Sequence, residues 1–192
     1  MNKQKKEKKK LTKHEKCFRW LHRLYNFPLR ILYPVKKYGA ARYFDDRAYL
    51  IIGNHLSIMD VIPVAISTHK PIHYLAKKEL FVKGFTKWFT AKCECIPINR
   101  DGNDVRALMT AMKYLKNGEH VSLFPEGTRN KTDDMFLPFK SGASVIAIRT
   151  KTPILPLVQV KKMRAFHKVH VLYGEPFELS EFYDKKLTDE DI

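Results

Sequence analysis

Short apolar runs alternate with helical patterns along the chain from residue 48 onward. The runs predict six strands, at residues 48–53, 72–75, 94–98, 120–124, 154–160 and 168–173. Because each run is apolar throughout, and not only at every second position, we expect strands that are buried on both faces, as in parallel sheets. Strands that alternate with helices predict an α/β fold: a single domain with a largely parallel central sheet flanked by helices.

Helical periodicity appears between the predicted strands. One apolar stripe repeats at helical spacing after Gly102 and ends at Gly118, which is a plausible stop. Residues 141–150 predict another helix, and the acidic end of the chain from Glu178 predicts a surface helix. The stripe consists of Val105, Leu108, Met112 and Leu115.

A segment of mixed apolar and basic character, residues 17–38, precedes this domain. No uncharged span approaches the roughly 18 residues that a transmembrane helix needs, and the apolar stretch is too broken for a signal peptide. Trp20 and the arginines suit a helix that lies in the headgroup plane of a membrane, which Pro28 should end or kink. A core helix with an incidental basic flank is the alternative. The apolar positions at helical spacing are Phe18, Leu21, Leu24 and Tyr25.

The charge balance points to an anionic partner. The formal net charge is +16, and the first sixteen residues hold eight lysines. Nucleic acid, anionic lipid headgroups and an acidic carrier protein would all be attracted to such a chain. We predict three parts: a basic tail at residues 1–16, an interfacial helical membrane-binding segment at 17–38 and the α/β domain at 39–192. Three cysteines cannot all pair within one chain, which favours a reducing compartment.

Reactive side chains follow the first predicted strand, at the edge where α/β proteins bind ligands. His55 and Asp60 are spaced so that the carboxylate reaches one imidazole nitrogen while the other faces a substrate. That arrangement fixes the tautomer and stabilises the imidazolium, which suits a general base. The alternatives are a helix-capping role for Asp60 and metal ligation, which would need a further close donor.

Basic side chains and a glycine follow the third and fourth strands. Arg100, Arg129 and Lys140 could bind the oxygens of a phosphate group, and Gly127 would let the backbone approach it. The alternative for this loop is that Glu126 pairs with Arg129 across a turn.

No nucleophile elbow, phosphate loop or dinucleotide-binding glycine pattern occurs in the sequence. A base at His55 would therefore activate the acceptor hydroxyl directly. The acyl donor should then be a thioester, because a thiol leaves more readily than an alkoxide.

Together these loops resemble the glycerolipid acyltransferase family, most closely its bacterial 1-acylglycerol-3-phosphate acyltransferases. NHLSIMD, with Asn54, is similar to the first family motif, and PINRDG to the second, although Asn99 stands where the family often has an acidic residue. FPEGTRN is similar to the third, and TPILP, which ends at Pro156, to the fourth. The resemblance implies that His55 and Asp60 are catalytic. It implies substrate binding by Asn54, Arg100, Glu126, Gly127, Thr128, Arg129, Lys140 and Pro156.

The resemblance also implies a reaction. A long acyl chain moves from acyl carrier protein or coenzyme A to the sn-2 hydroxyl of lysophosphatidic acid, and phosphatidic acid results. It implies no metal or bound cofactor, and a membrane-binding helix that would place the protein peripherally on the cytoplasmic face of the cell membrane. Glycerol 3-phosphate and other lysophospholipids are alternative acceptors. A basic nucleic-acid-binding protein is the competing class, but it leaves the histidine and FPEGTR motifs unused, so we expect no nucleic-acid partner.

Overall fold

A seven-stranded sheet forms the centre of the molecule. The computed structural model describes residues 13–39, 47–68, 70–99 and 104–185. Its strands are β1 (Val35–Gly39), β2 (Leu50–Gly53), β3 (Ile72–Lys77), β4 (Ile96–Ile98), β5 (His120–Leu123), β6 (Ile154–Gln159) and β7 (Val169–Tyr173). They lie in the order β1-β7-β6-β2-β5-β3-β4, and all neighbours are parallel except β6 and β7. The predicted α/β fold with a largely parallel sheet is confirmed.

Helices cover both faces of this sheet. They are α1 (Lys13–Leu32), α2 (Val61–Ala65), α3 (Gly84–Lys92), α4 (Val105–Lys116) and α5 (Gly142–Thr150). Alternate residues of β2 enter two separate apolar clusters: Ile51 packs with residues of α2, and Leu50 packs with residues of α4 and α5. This arrangement explains why the strand sequences are apolar at consecutive positions.

The helix predicted from Glu178 onward is wrong. The described end of the chain contains only a short 3-10 turn, Ser180–Phe182. Tyr183 then adopts extended backbone angles, and Asp184 has a positive φ of 62°, so a helix cannot continue there.

Helix α1 does not end at Pro28 but continues to Leu32. Proline removes one helical hydrogen bond, at a cost of about 3 kcal/mol in a helix interior. Packing compensates for this loss, because Leu29 and Tyr33 contact the core cluster around Ile51 and the Tyr33 N–H donates to the Leu29 carbonyl at 2.7 Å. Among the helices in the described ranges, none is long and apolar enough to cross a membrane.

Strand β1 lies inside the segment that the sequence analysis assigned to interfacial binding. It pairs in parallel with β7 and forms one edge of the sheet. Its sequence, VKKYG, is half-buried or exposed at every position, so it carries no apolar run to mark it as a strand. The Lys37 ammonium donates to the Ile66 carbonyl at 3.3 Å, as does the Arg30 guanidinium, and burial together with Arg30 lowers the pKa of Lys37 to about 8.

Candidate active site

The imidazole of His55 lies directly after β2, at the carboxyl edge of the sheet. Its Nδ1 is 3.0 Å from Oδ2 of Asp60, and both side chains are buried. The ring stacks on Phe124 with 4.2 Å between centroids and 6° between planes. Because Nδ1–H donates to the carboxylate, the lone pair of Nε2 is left to accept a proton. The prediction from sequence spacing that the Asp60 carboxylate reaches one nitrogen of the His55 ring is confirmed.

Asp60 is held by donors from its own loop. The backbone N–H groups of Leu56 and Ser57 each donate to Oδ2 at 2.6 Å, and the Ser57 hydroxyl donates to Oδ1 at 2.9 Å. Ser57 also caps the 3-10 turn Ile58–Asp60, and Asp60 completes a capping box. As the N-cap residue of α2, Asp60 makes no side-chain capping bond, so the predicted helix N-cap pairing is wrong. Its part in the capping box coexists with the contact to His55, because each carboxylate oxygen accepts more than one hydrogen bond.

Gln159, at the end of β6, is a site residue that the sequence analysis missed. Its buried side-chain amide donates to Oδ1 of Asp60 at 3.0 Å. Its backbone forms two hydrogen bonds of 2.9 Å with the side chain of Asn54, one in each direction. Asn54, which was predicted to bind substrate, thus ties the histidine loop to β6. Only the order of strands brings these residues together, since β2 and β6 are neighbours but lie far apart in sequence.

The carboxylate of Glu126 fixes the position of the His55 backbone. Its Oε1 accepts from the His55 N–H at 2.8 Å, and its Oε2 accepts from the Leu137 N–H at 3.3 Å. The Asn130 N–H donates to the His55 carbonyl at 2.6 Å. Glu126 is buried, and no ion pair within 4 Å links it to Arg129 in the described chain. The alternative in which these two side chains pair is therefore excluded.

Gly127 and Lys140 share one wall of a cavity of about 340 Å³ that also contains His55. Gly127 has a φ of +67°, and a Cβ atom placed on it would lie 2.9 Å from Cε of Lys140. The lysine side chain thus crosses the glycine closely, and a larger residue would displace it. The remaining walls are mainly apolar and include Leu75, Leu108 and Val145. An imidazole, an ammonium group and an apolar wall face the same space.

Asp104 lies at the rim of this cavity and fixes the residues on either side of it. It accepts from the Asn99 N–H at 2.8 Å and from the Ala107 N–H at 3.1 Å. These hydrogen bonds hold the pKa of the Asp104 carboxyl below its usual range. Arg100, predicted to bind phosphate, follows Asn99 but lies outside the described residues.

The other predicted substrate-binding residues do not line the His55 cavity. Thr128 and Arg129 are exposed. Arg129 borders a separate groove of about 560 Å³ with Asn54, Lys161 and Lys162.

Pro156 borders a third groove, of about 550 Å³, whose lining includes Phe136 and Phe139. Three adjacent depressions therefore share the loops around His55. Within the described ranges, no group of three histidine, cysteine, aspartate or glutamate side chains could hold a metal ion.

Known proteins share both the sequence and the architecture. The acyltransferase family profile matches residues 34–160. The chain is 32% identical over 154 residues to the 1-acyl-sn-glycerol-3-phosphate acyltransferase of Bacillus subtilis, covering 77% of this chain and 76% of that protein. Over 126 residues it is 36% identical to the enzyme of the same name from Helicobacter pylori, covering 65% of this chain and 53% of that protein.

A solved structure of an acyltransferase shares the architecture of this chain. The chain superimposes on the 1-acyl-sn-glycerophosphate (LPA) acyltransferase PlsC from Thermotoga maritima with a TM-score of 0.70 and 25% identity, over 92% of this chain and 72% of that one. The family resemblance seen in the motifs is thereby confirmed. With a family profile that covers most of its length and relatives above 30% identity, the chain belongs to the acyltransferase family.

Proposed function

We propose that this protein transfers a fatty acyl group from an acyl thioester to the sn-2 hydroxyl of 1-acyl-sn-glycerol 3-phosphate, with His55 as the general base. The observation that carries the proposal is the 3.0 Å hydrogen bond between His55 Nδ1 and Asp60, which leaves Nε2 available in a residue that lines the cavity. The names of the relatives from Bacillus subtilis and Helicobacter pylori support this acceptor.

The chemistry follows from the free nitrogen of the imidazole. Nε2 of His55 removes the proton of the acceptor hydroxyl as its oxygen attacks the thioester carbonyl. Asp60 stabilises the imidazolium that forms. When the tetrahedral intermediate collapses, the carbon–sulfur bond breaks, and the imidazolium returns its proton to the departing thiolate. The products are an ester and a free thiol, and no cofactor is consumed.

An anionic headgroup suits the basic residues around the cavity. Lys140 lines the same cavity as His55, and Arg129 borders the neighbouring groove beside Asn54. A charge-assisted hydrogen bond to phosphate contributes about 1.5 to 3 kcal/mol. The apolar walls at Leu75 and Leu108 favour an acceptor that already bears an acyl chain over glycerol 3-phosphate.

The donor is a thioester of coenzyme A or of acyl carrier protein. A formal net charge of +16 suits an acidic carrier protein. The described part of α1 exposes an apolar stripe, Trp20, Leu24, Phe27 and Ile31, which favours a peripheral position on a membrane. The basic net charge favours an anionic leaflet, such as the cytoplasmic one. A nucleic-acid-binding role would leave the buried His55–Asp60 pair without a purpose.

The test is an acyl-transfer assay on the purified chain. We expect transfer to lysophosphatidic acid to exceed transfer to monoacylglycerol, which lacks the phosphate, and both thioester donors should be compared. His55→Ala should lower turnover by about 10² to 10⁴ or more, the range that a positioned base contributes. His167→Ala, an exposed histidine in the loop before β7, is the matched control. Near-normal turnover in His55→Ala would refute the assignment of the base.

A further inference from the structure

An exposed aromatic patch lies on α3, away from the residues assigned so far. We define the α3 patch as Val82, Phe85, Trp88 and Phe89. Phe85 is 73% exposed and Trp88 49% exposed, although large aromatic side chains normally bury most of their surface. The three rings form one cluster, with centroids 5.6 Å apart for Phe85 and Trp88 and 6.1 Å apart for Phe85 and Phe89.

Basic side chains surround the α3 patch. Residues 77–92 contain five lysines and a single acidic residue, Glu79, whose carboxylate pairs with Lys77 at 2.9 Å. Lys83 and Lys87 are exposed and alternate with the aromatic residues along the chain. Aromatic groups that enter the acyl boundary while lysines meet headgroup phosphates are typical of surfaces that bind anionic lipid.

The turn that leads into α3 borders a groove beside the candidate active site. Strand β3 ends at the carboxyl edge of the sheet and continues through the 3-10 turn Lys78–Phe81 into α3. Lys78 lines a groove of about 600 Å³, and this groove shares Asn99 and Asp104 with the His55 cavity. A lipid that enters this groove at Lys78 would therefore lie next to the cavity.

We infer that the α3 patch is a second membrane contact, which seats the mouth of the His55 cavity on an anionic bilayer. The use of this contact in catalysis rests on the proposed function, but the contact itself does not. A second copy of the chain suits the patch less well, since a symmetric interface would bring the lysines of both copies together. Single-stranded RNA is the other class of ligand that stacks on aromatic groups beside lysines, but the aliphatic Val82 offers no stacking surface.

Tryptophan fluorescence of the full chain tests the contact. The sequence contains two tryptophans, so Trp20→Phe leaves Trp88 as the sole reporter. We expect Trp88 emission to move to shorter wavelength, and to be quenched by brominated acyl chains, in vesicles of phosphatidylcholine with phosphatidylglycerol. Lys83→Gln with Lys87→Gln should weaken partitioning about fivefold for each lysine removed. Lys113→Gln with Lys116→Gln removes the same charge near the end of α4, at the amino ends of the strands and away from the cavity. This pair should change partitioning less.

Two further results would overturn the inference. The first is that Trp88 emission in the Trp20→Phe variant does not change with vesicles, although the same vesicles quench Trp20 emission in a Trp88→Phe variant. The second is patch-dependent dimerisation without lipid, or binding of an RNA oligonucleotide that protects Trp88 while vesicles do not.

An activity measurement separates this inference from the proposed function. Phe85→Ser with Phe89→Ser should slow turnover of vesicle-held lysophosphatidic acid several-fold, and should leave turnover of a dispersed short-chain analogue unchanged. If the wild-type chain transfers no acyl group but Trp88 still enters the bilayer, the proposed function fails and the contact stands. If transfer occurs but both acceptors respond equally to the substitutions, the membrane contact fails alone.

Discussion

The carboxylate of Asp60 accepts hydrogen bonds from the backbone of Leu56 and Ser57, the Ser57 hydroxyl, the Gln159 amide and the His55 ring. A buried carboxylate needs such donors, because taking the charge out of water without them is costly. These bonds also fix the direction in which Oδ2 points. Gln159 is the donor that comes from outside the loop, so it sets the position of Asp60 relative to the sheet.

We expect Gln159→Leu to lower kcat more than it changes KM, since Gln159 bonds Asp60 and is almost fully buried where it borders the Arg129 groove. The partners that orient metal-ligating side chains typically contribute about 10- to 100-fold, and we expect a similar loss here. Steady-state kinetics on lysophosphatidic acid measure the split between kcat and KM, and a pH–rate profile provides a second readout.

Val158→Ala, the neighbouring and half-buried position, is the matched control for packing at the end of β6. A merely structural role for Gln159 would lower the free energy of unfolding and the active fraction, but would leave the shape of the pH–rate profile intact. That outcome would contradict a positioning role.

Spacing within one loop made His55 and Asp60 predictable from the sequence, whereas Gln159 and Phe124 were not. The first pair is five residues apart on one strand-to-helix connection. Gln159 reaches Asp60 because β6 lies beside β2. Phe124 reaches His55 because β5 lies on the other side of β2. Strand order is a property of the whole sheet, and a glutamine at the end of an apolar run gives no local signal.

At the scale of elements, the apolar strands were predicted to within two residues at each end, but β1 was not predicted. Buried strands require apolar side chains on both faces, and edge strands do not. Of the two predicted effects of Pro28, an end or a kink in α1, the end is wrong, because tertiary packing by Leu29 and Tyr33 outweighed a local preference. Strand β7 runs antiparallel to β6, and this direction follows from the connection between them, not from the composition of the strand.

Lys37 on β1 should make the free energy of unfolding depend on pH. Its pKa falls from 10.5 to about 8 in the folded chain, so the unfolded chain binds more protons between those values. The free energy of unfolding should therefore rise with pH from about 8 to about 10.5, as the buried charge is lost. Lys37→Met should be more stable than wild type near pH 7 and should show a weaker rise.

Denaturant unfolding at several pH values measures this effect, with Lys36→Met, an exposed neighbour on the same strand, as the control. The Ile66 carbonyl keeps a donor in the variant, since Arg30 also bonds to it at 3.3 Å. Parallel curves for wild type and Lys37→Met would show that Lys37 does not titrate in this range.

At the scale of the whole molecule, an excess of positive charge is combined with apolar side chains that no core residue covers. On α1, Leu24 is 62% exposed and Phe27 73% exposed, on the side away from Leu29. Removing residues 1–38 would also remove most of β1, whose pairing with β7 closes one edge of the sheet. Point substitutions on the exposed stripe are therefore the cleaner probe of α1.

Leu24→Ser with Phe27→Ser should reduce co-sedimentation with phosphatidylglycerol vesicles by about tenfold or more, because two large apolar groups no longer enter the bilayer. Leu172→Ser with Phe177→Ser, exposed apolar positions that lie outside α1 and do not line the His55 cavity, is the matched control. Equal binding by the stripe variant and wild type would show that this stripe does not contact the membrane.

The hydrogen bonds from Glu126 and Asn130 to the backbone of His55 join the imidazole mechanically to the loop that contains Gly127. A displacement of that loop moves the His55 main chain with it, because both its N–H and its carbonyl are held. Shortening the loop by one residue would therefore shift the His55 ring even with every side chain of the site present. We therefore expect that neither segment would keep its geometry if it were transplanted into another scaffold without the other.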